Sequence, residues 1–429
     1  MANPIQSRTQ LQIVESIGYG LNDMVLLTAD TTTDTSSIID AYGLAKGGDD
    51  EYNDHQVVAV NMAGSIVEGE KSFISDFDST AKDATVSPVF TAAVTTADVF
   101  EMWKVFSREE VVDALNVAVM EVSDDCLQLK TNNAVFIDSD RNEYNVLSSF
   151  KALSKVEYVS CLGIDHTVDT CDTKWTAGSA NVTVTLDTSF EKEGTGCVKA
   201  VEDGSSSTGA ILAYHAITSM DLTDSDTIEF WMYSSIALTA GQLQIHLSST
   251  AIIASAEETL DIPAMDAATW YRHSITMEAP ASDGAIISVG IYQVADVGAF
   301  TFYVDDIHAV YSGSKAYKVL PPDLWDIVKA STPLLRLDPV AVELIGEPHQ
   351  LRLTGYQLPA LFTDDTTTSE IDPSWLINKV IGELMLNHAK SPQLDIDDRE
   401  GKGTRRLQKA EYDKTKIRTQ VSMNTRWIS

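Results

Sequence analysis

Residues 228–234 read IEFWMYS, and in an extended strand Ile228, Phe230 and Met232 share one face while Trp231 and Tyr233 share the other. An apolar row backed by an aromatic row is the signature of a strand with one side in a core. Similar short runs return about every ten residues between 170 and 312, at 182–186, 197–201, 211–214, 242–247, 271–277, 285–292 and 300–304. No 3.6-residue period interrupts them, so the segment predicts an all-β antiparallel sandwich. Trp231 and Tyr233 then face outward, where an aromatic pair either stacks on a sugar ring or covers a second layer or a subunit contact.

Moving outward, the texture changes on both sides. Before residue 107 the β-prone runs 57–60, 65–67, 71–77, 85–90 and 98–103 predict a small antiparallel unit. Ser107 and Glu110 then form an S-x-x-E capping box, and Val111, Leu115, Ala118, Val119 and Val122 recur at helical spacing. A hairpin is expected near 133–144, turning at 138–142. Beyond the sandwich, Pro321 and Pro322 lead into a short helix over 323–331, and 341–345 with 350–355 read as a second hairpin. Asp372 and Pro373 open a helix to residue 390 with Trp375, Leu376, Val380, Ile381, Leu384 and Met385 on one face. The chain reads as α+β, and the order favours a sandwich inserted into an outer domain over three sequential domains. Its outer domain, 1–165 and 314–401, is interrupted by the sandwich, 166–313, and followed by a basic arm, 402–429.

The chain has 429 residues, 30 basic and 63 acidic, for a formal charge of −33. That excludes generic nucleic-acid binding through a basic surface, and 44% hydrophobic residues exclude a disordered polyanion. No run approaches the roughly 18–20 apolar residues of a membrane span, and the first residues lack an apolar leader, so a soluble polypeptide made in the cytoplasm is expected. The charge is uneven. Residues 170–312 carry nineteen acidic against four basic side chains. The last 28 residues carry Lys402, Arg405, Arg406, Lys409, Lys414, Lys416, Arg418 and Arg426 against Glu411 and Asp413, a natural partner for an acidic surface on another copy or another protein.

Catalytic signatures are missing. There is no nucleophile elbow, phosphate loop, zinc helix or dinucleotide fingerprint, and the eight histidines, including His349 and His388, are dispersed. The expectation is a protein that is not an enzyme, with no catalytic residue. Cys126, Cys161, Cys171 and Cys197 default to free thiols, although Cys161, His166 and Cys171 lie close enough in sequence for a local disulfide or a partial metal site. Asp395, Asp397 and Gly401 faintly suggest a calcium loop, but Arg399 and Arg406 stand where oxygen ligands belong.

Two resemblances extend this reading. The run ATWYRHSITM (268–277), then ISVGIY (287–292), then FTFYVDDIHAVY (300–311) resembles the end of carbohydrate-binding-module jelly rolls, and SFEKEGTGCVKAV (189–201) resembles their opening strand. The resemblance implies Trp231, Tyr233 and Trp270 as sugar-stacking candidates. It also implies a structural calcium on Glu191 or Glu193 with Asp305, and no other cofactor. The flanks, GEKSFISDFDSTAKDATVSPVFTAAVTTADVFEMW (69–103) with Arg108 to Val119, and LRLTGYQLPALFTDDTTTSEIDPSWLINKVIGELM (351–385), resemble head-to-tail connector (neck or adaptor) proteins of tailed bacteriophages. That implies a structural virion protein assembled in the host cytoplasm, a neck ring of twelve copies joining portal to tail. DNA passes through such a ring without specific binding, and the basic arm grips the portal or a neighbour. Deleting 402–429 is then expected to block assembly and leave the fold intact. The alternative is a virion adhesin or decoration protein that binds host-surface glycan through its jelly roll.

Overall fold

The capping box at Ser107 does start a helix. In the computed structural model, which describes residues 7–137, 141–253, 255–330, 332–345, 350–387, 396–419, 421 and 425–428, Ser107 Oγ accepts from the Glu110 amide (3.2 Å) and Glu110 returns the bond to the Ser107 amide (2.8 Å). Among the described residues there are five helices: α1 Gln10–Leu21, α2 Arg108–Val122, α3 Pro339–Ile345, α4 Pro373–Asn387 and α5 Ile396–Ile417. The rest is mostly antiparallel sheet, which makes the chain α+β. It divides into two compact units, Met1–Leu129 with Tyr356–Val421, and Lys130–Gly355 with Ser422–Ser429.

The first unit holds a six-stranded sheet in the order Met24–Thr28, Val99–Trp103, Gln56–Asn61, Lys71–Asp78, Asp83–Ser87, Ser37–Ile39. Its central strand is buried on both faces. Val57 and Ala59 join one apolar cluster with Phe77 and Phe100, while Val58 and Val60 join another with the helices. In that second cluster the α2 stripe meets Trp375, Leu376, Val380 and Ile381 of α4 and Ile13, Val14 and Ile17 of α1. Two of the helices, α1 and α5, lie outside the elements expected from sequence. A T-x-x-Q capping box at Thr9 and Gln12 marks the first. The second, set in a polar segment expected to be an arm for a neighbour or the portal, packs on α4 through Leu407 and the buried Ala410. The helices approach closely because both are glycine at the crossing: a Cβ on Gly382 would lie 3.1 Å from the Gly403 carbonyl oxygen.

The second unit contains the sandwich. One sheet runs Val182–Asp187, Cys197–Glu202, Phe300–Val310, Thr227–Ser234, Thr269–Thr276, with Asp165–Asp169 also paired to Phe300–Val310. The other runs Thr176–Ala177, Ala210–Met220, Ile286–Gln293, Leu243–Ser248, Glu258–Asp261. Every strand run expected between 170 and 312 is present. Ile228, Phe230 and Met232 do point inward, against Leu212, Ile245, Val289 and Ile291 of the facing sheet.

Other expectations change. The segments 130–161 and 316–355, expected in the outer domain, pair with one another in two small sheets of the second unit around Phe150, Leu153, Leu335 and Leu351. The strands Gln128–Phe136 and Glu143–Asn145 belong to different sheets and make no hairpin; residues 138–140 of the expected turn lie outside the described residues, as do His349, His388, Asp395 and the end of the helix expected to reach 390. The segment after Pro322 is a single 3-10 turn, Pro322–Leu324, leading into the strand Trp325–Val328. The expected strand at 341–345 is α3, because Asp338 caps it: its carboxylate accepts from the Val340 amide (2.9 Å), and Pro339 takes the first helical position. Asp372 does the same for α4 through the Ser374 amide (2.7 Å).

Candidate functional site

Strand register sorts the outward side chains of the sandwich's first sheet into three rows. Tyr233 stands between Trp270 and Tyr303, Trp231 between Arg272 and Asp305, and Glu229 between Ser274 and His308. Each row is two residues from the next, about 6.5–7 Å along the strand.

The first row is aromatic and open to solvent. Phe190, carried on the loop after Val182–Asp187, adds a fourth ring, with centroids 5.0 Å from Tyr233, 5.5 Å from Trp270 and 4.8 Å from Tyr303. Tyr233 lies 5.8 Å from Trp270 and 5.4 Å from Tyr303. Phe190 is exposed and the other three are half-buried. Lys199, on the next strand, sets its Nζ 5.4 Å from the Tyr303 ring. The patch therefore offers ring edges and faces together with one ammonium group.

The second row is closed. Trp231, read as a stacking residue, is only 4% exposed, with Lys192 and Arg272 each 5.8 Å from its ring. The cause is Asp305, whose Oδ2 accepts from the Lys192 and Glu193 amides (2.7 and 3.0 Å) and draws the loop down over the indole. Burial lifts the Asp305 carboxyl to about 7 against those two bonds, with Asp306 and Asp172 adding to the rise. Trp231 is thus a packing residue and cannot meet a sugar.

The same carboxylate bears on the calcium. Donors already face Oδ2, and among the described residues no three acidic, histidine or cysteine side chains converge as a ligand set. Asp305 Oδ1 and Glu191 Oε2 are nevertheless buried without a partner. Each is an oxygen of the kind a hard cation takes.

The third row enters a polar network that the dispersed histidines did not suggest. His308 bonds Asp165 through Nδ1 (2.7 Å) and Asp306 through Nε2 (2.8 Å), and Arg272 bonds Asp306 (2.9 Å). Lys315 bonds Glu229 (2.5 Å) and Gln350 (2.6 Å), both deep in the protein. Asp165, Glu229, Arg272, Asp306 and His308 border a cleft of about 520 Å3. Burial works against a charge on His308, but the two carboxylates outweigh it and hold the imidazole up to about 9. A histidine that keeps its proton at neutral pH is a poor general base, so the network is suited to positioning.

The other sequence candidates scatter. The four cysteines are free, Cys171 buried and Cys161 exposed, and His166 bonds Asp224 (2.8 Å), so 161, 166 and 171 form no site. The basic residues do not act as one arm. Lys402, Arg405, Arg406 and Lys409 project from α5 into a cleft of the first unit. Lys414 and Arg418 lie 3.7 and 3.4 Å from Asp125, and Lys416 bonds Asp413 (2.6 Å). Arg426 belongs to the second unit, paired with Asp326 and 4.7 Å from the Trp325 ring. Sequence reading missed Phe190 and Tyr303, though FTFYV already places Tyr303 opposite in parity to the inward Phe300, Phe302 and Val304.

No protein-family model matches the chain. No curated protein matches it either. Among solved structures it is similar to the family 11 carbohydrate-binding module of the cellulosomal cellulase Lic26A-Cel5E of Clostridium thermocellum. That match has 12% identity, 35% of this chain, 97% of the module and TM-score 0.27. The family 30 module of another cellulase of that organism covers 35% of the chain and 98% of itself at 11% identity and TM-score 0.23. The K3 cleaved adhesin domain of Lys-gingipain from Porphyromonas gingivalis covers 34% and 99% at 15% identity and TM-score 0.24. Likeness at that level carries no weight for what this chain binds.

Proposed function

We propose that the protein binds glycans, without transforming them, through the outer face of its sandwich. The observation that carries this is the open cluster of Phe190, Tyr233, Trp270 and Tyr303 beside Lys199. Aromatic faces stack on the apolar faces of sugar rings, and a nearby cation reaches their hydroxyls or carboxylates. Of the three residues expected to stack, Tyr233 and Trp270 keep that role and Trp231 supports the strand behind them. A calcium ion on Asp305 and Glu191 would pin the loop that carries Phe190; its proposed role is structural. The test is a glycan array probed with the full chain and with Tyr233→Ala/Trp270→Ala. Binding that disappears in the double variant, at unchanged melting temperature, is expected. Failure of the intact chain to bind any glycan, or equal binding by the variant, would overturn the reading.

A second reading concerns the first unit. A neck ring joining portal to tail rests on the sequence resemblance of 69–119 and 351–385 to phage connectors. One observation favours it: the first unit is built from two chain segments, Met1–Leu129 and Tyr356–Val421, that flank Lys130–Gly355 of the second, the arrangement expected of a connector carrying a decoration. Mass photometry is expected to find portal protein gaining about twelve times 46.7 kDa when the full chain is added. A chain that stays monomeric alongside portal protein would sink it.

A further inference from the structure

We infer that the first unit carries a docking cleft for an acidic, partly apolar peptide segment of another protein. The cleft, of about 760 Å3, is lined by six basic side chains, Lys104, Arg399, Lys402, Arg405, Arg406 and Lys409. In a chain of net charge −33 such a concentration is exceptional in sign. The one acidic side chain in the lining, Asp23, spends both oxygens on the Val105 and Phe106 amides (3.0 and 2.9 Å). Arg406 is steadied by Asn378, whose side-chain oxygen accepts from its Nη1 (2.7 Å).

Arg399 supplies the independent observation. It is 5% exposed, and its Nε and Nη1 have no hydrogen-bond partner. A guanidinium buried with unmade bonds costs stability unless something arrives to complete them. Its fork geometry matches a carboxylate.

The walls decide between anions. Leu21, Val105, Phe106 and Met385 line the same cleft, so an occupant that brings only charge leaves apolar surface uncovered. A free phosphate fills too little of a cleft whose volume is typical of ligand sites, roughly 300–1,000 Å3. A DNA duplex is a convex rod that does not enter a concavity, and the acidic body repels it. An acidic segment with interspersed apolar side chains satisfies both the basic groups and the walls. The inference needs neither the glycan site nor the ring.

The probe is a short fluorescein-labelled peptide of alternating Glu and Leu, read by anisotropy against the full chain. Binding is expected to weaken as salt rises, and to fall about tenfold or more in Arg399→Met, the scale of one charged hydrogen bond. Arg405→Glu, at an exposed position, should weaken it too, and Lys416→Glu, outside the cleft, should not. Arg399→Met should keep or raise the melting temperature, since it removes an unpaired buried charge. The inference is overturned if the peptide does not bind. Equal binding by Arg399→Met and Arg405→Glu would overturn it as well, as would displacement by inorganic phosphate or a DNA duplex at matched charge. A lower melting temperature for Arg399→Met would also overturn it, by showing that the guanidinium is held by the fold.

Discussion

Trp231 and Tyr233 share a strand and a face, yet one is sealed and the other open, because two amides bonded to Asp305 pull a loop across the first. Replacing Trp231 with alanine removes a large side chain that is nearly fully buried, and about 3–5 kcal/mol should be lost in urea unfolding; a loss under about 1 kcal/mol would contradict the packing role. Single groups also set the pH response. His308 titrates near 9 in the folded chain against an ordinary 6.5. Below 6.5 both states hold the proton and its contribution is complete; as pH rises through 9 the contribution is lost. The decline in stability between those values should flatten in His308→Gln, by melting curves. Asp283, wholly buried, is lifted to about 7, first by burial and then by Glu258. Its contribution is complete below 3.8 and lost as pH rises through 7, so Asp283→Asn should raise the melting temperature at pH 8 and change it little at the acid end of that window.

At the scale of elements, two contacts hold the helices of the first unit. Arg108, at the start of α2, bonds Glu101 (2.8 Å) on the sheet and Asp365 (2.6 Å) from the distant second segment, and is itself 8% exposed. Glu101→Ala leaves a buried guanidinium half-paired and should cost about 3–5 kcal/mol in denaturant unfolding. The crossing of α4 and α5 is tested by a matched pair. A Cβ on Gly382 would sit 2.7 Å from Leu407 Cγ, whereas one on Gly401 meets nothing within 4 Å. Gly382→Val should therefore destabilise by about 1–3 kcal/mol, and Gly401→Ala should stabilise by about 0.5–1 kcal/mol through helix propensity alone. Equal effects would mean that α5 does not rest on α4. Helices with a capping box or an Asp-Pro start were legible, or could have been, since their signals lie within four residues. The α5 helix was not: its polar composition and glycines argue against a helix until another backbone is present to fill the space.

For the molecule as a whole, the charge of −33 acts against compactness. Moderate salt should raise the melting temperature by screening that repulsion; a fall would show that favourable ion pairs dominate. Because Ala410 belongs to the core of the first unit, deleting 402–429 should lower its stability, contrary to the expectation that the deletion leaves the fold intact. Intact unfolding curves after that deletion would restore the arm. From sequence alone came the strands of the sandwich, the inward row of Ile228, Phe230 and Met232, and the capped helices α2 and α4, because alternation and helical period are written among near neighbours. Tertiary structure alone decided which strands pair, where the two units divide, that Trp231 is covered while Phe190 and Tyr303 complete the open face, and that Arg399 and four further basic side chains of α5 meet Lys104 around one cleft. Those outcomes depend on residues distant in the chain competing for the same space and the same hydrogen bonds, and no local pattern records who wins.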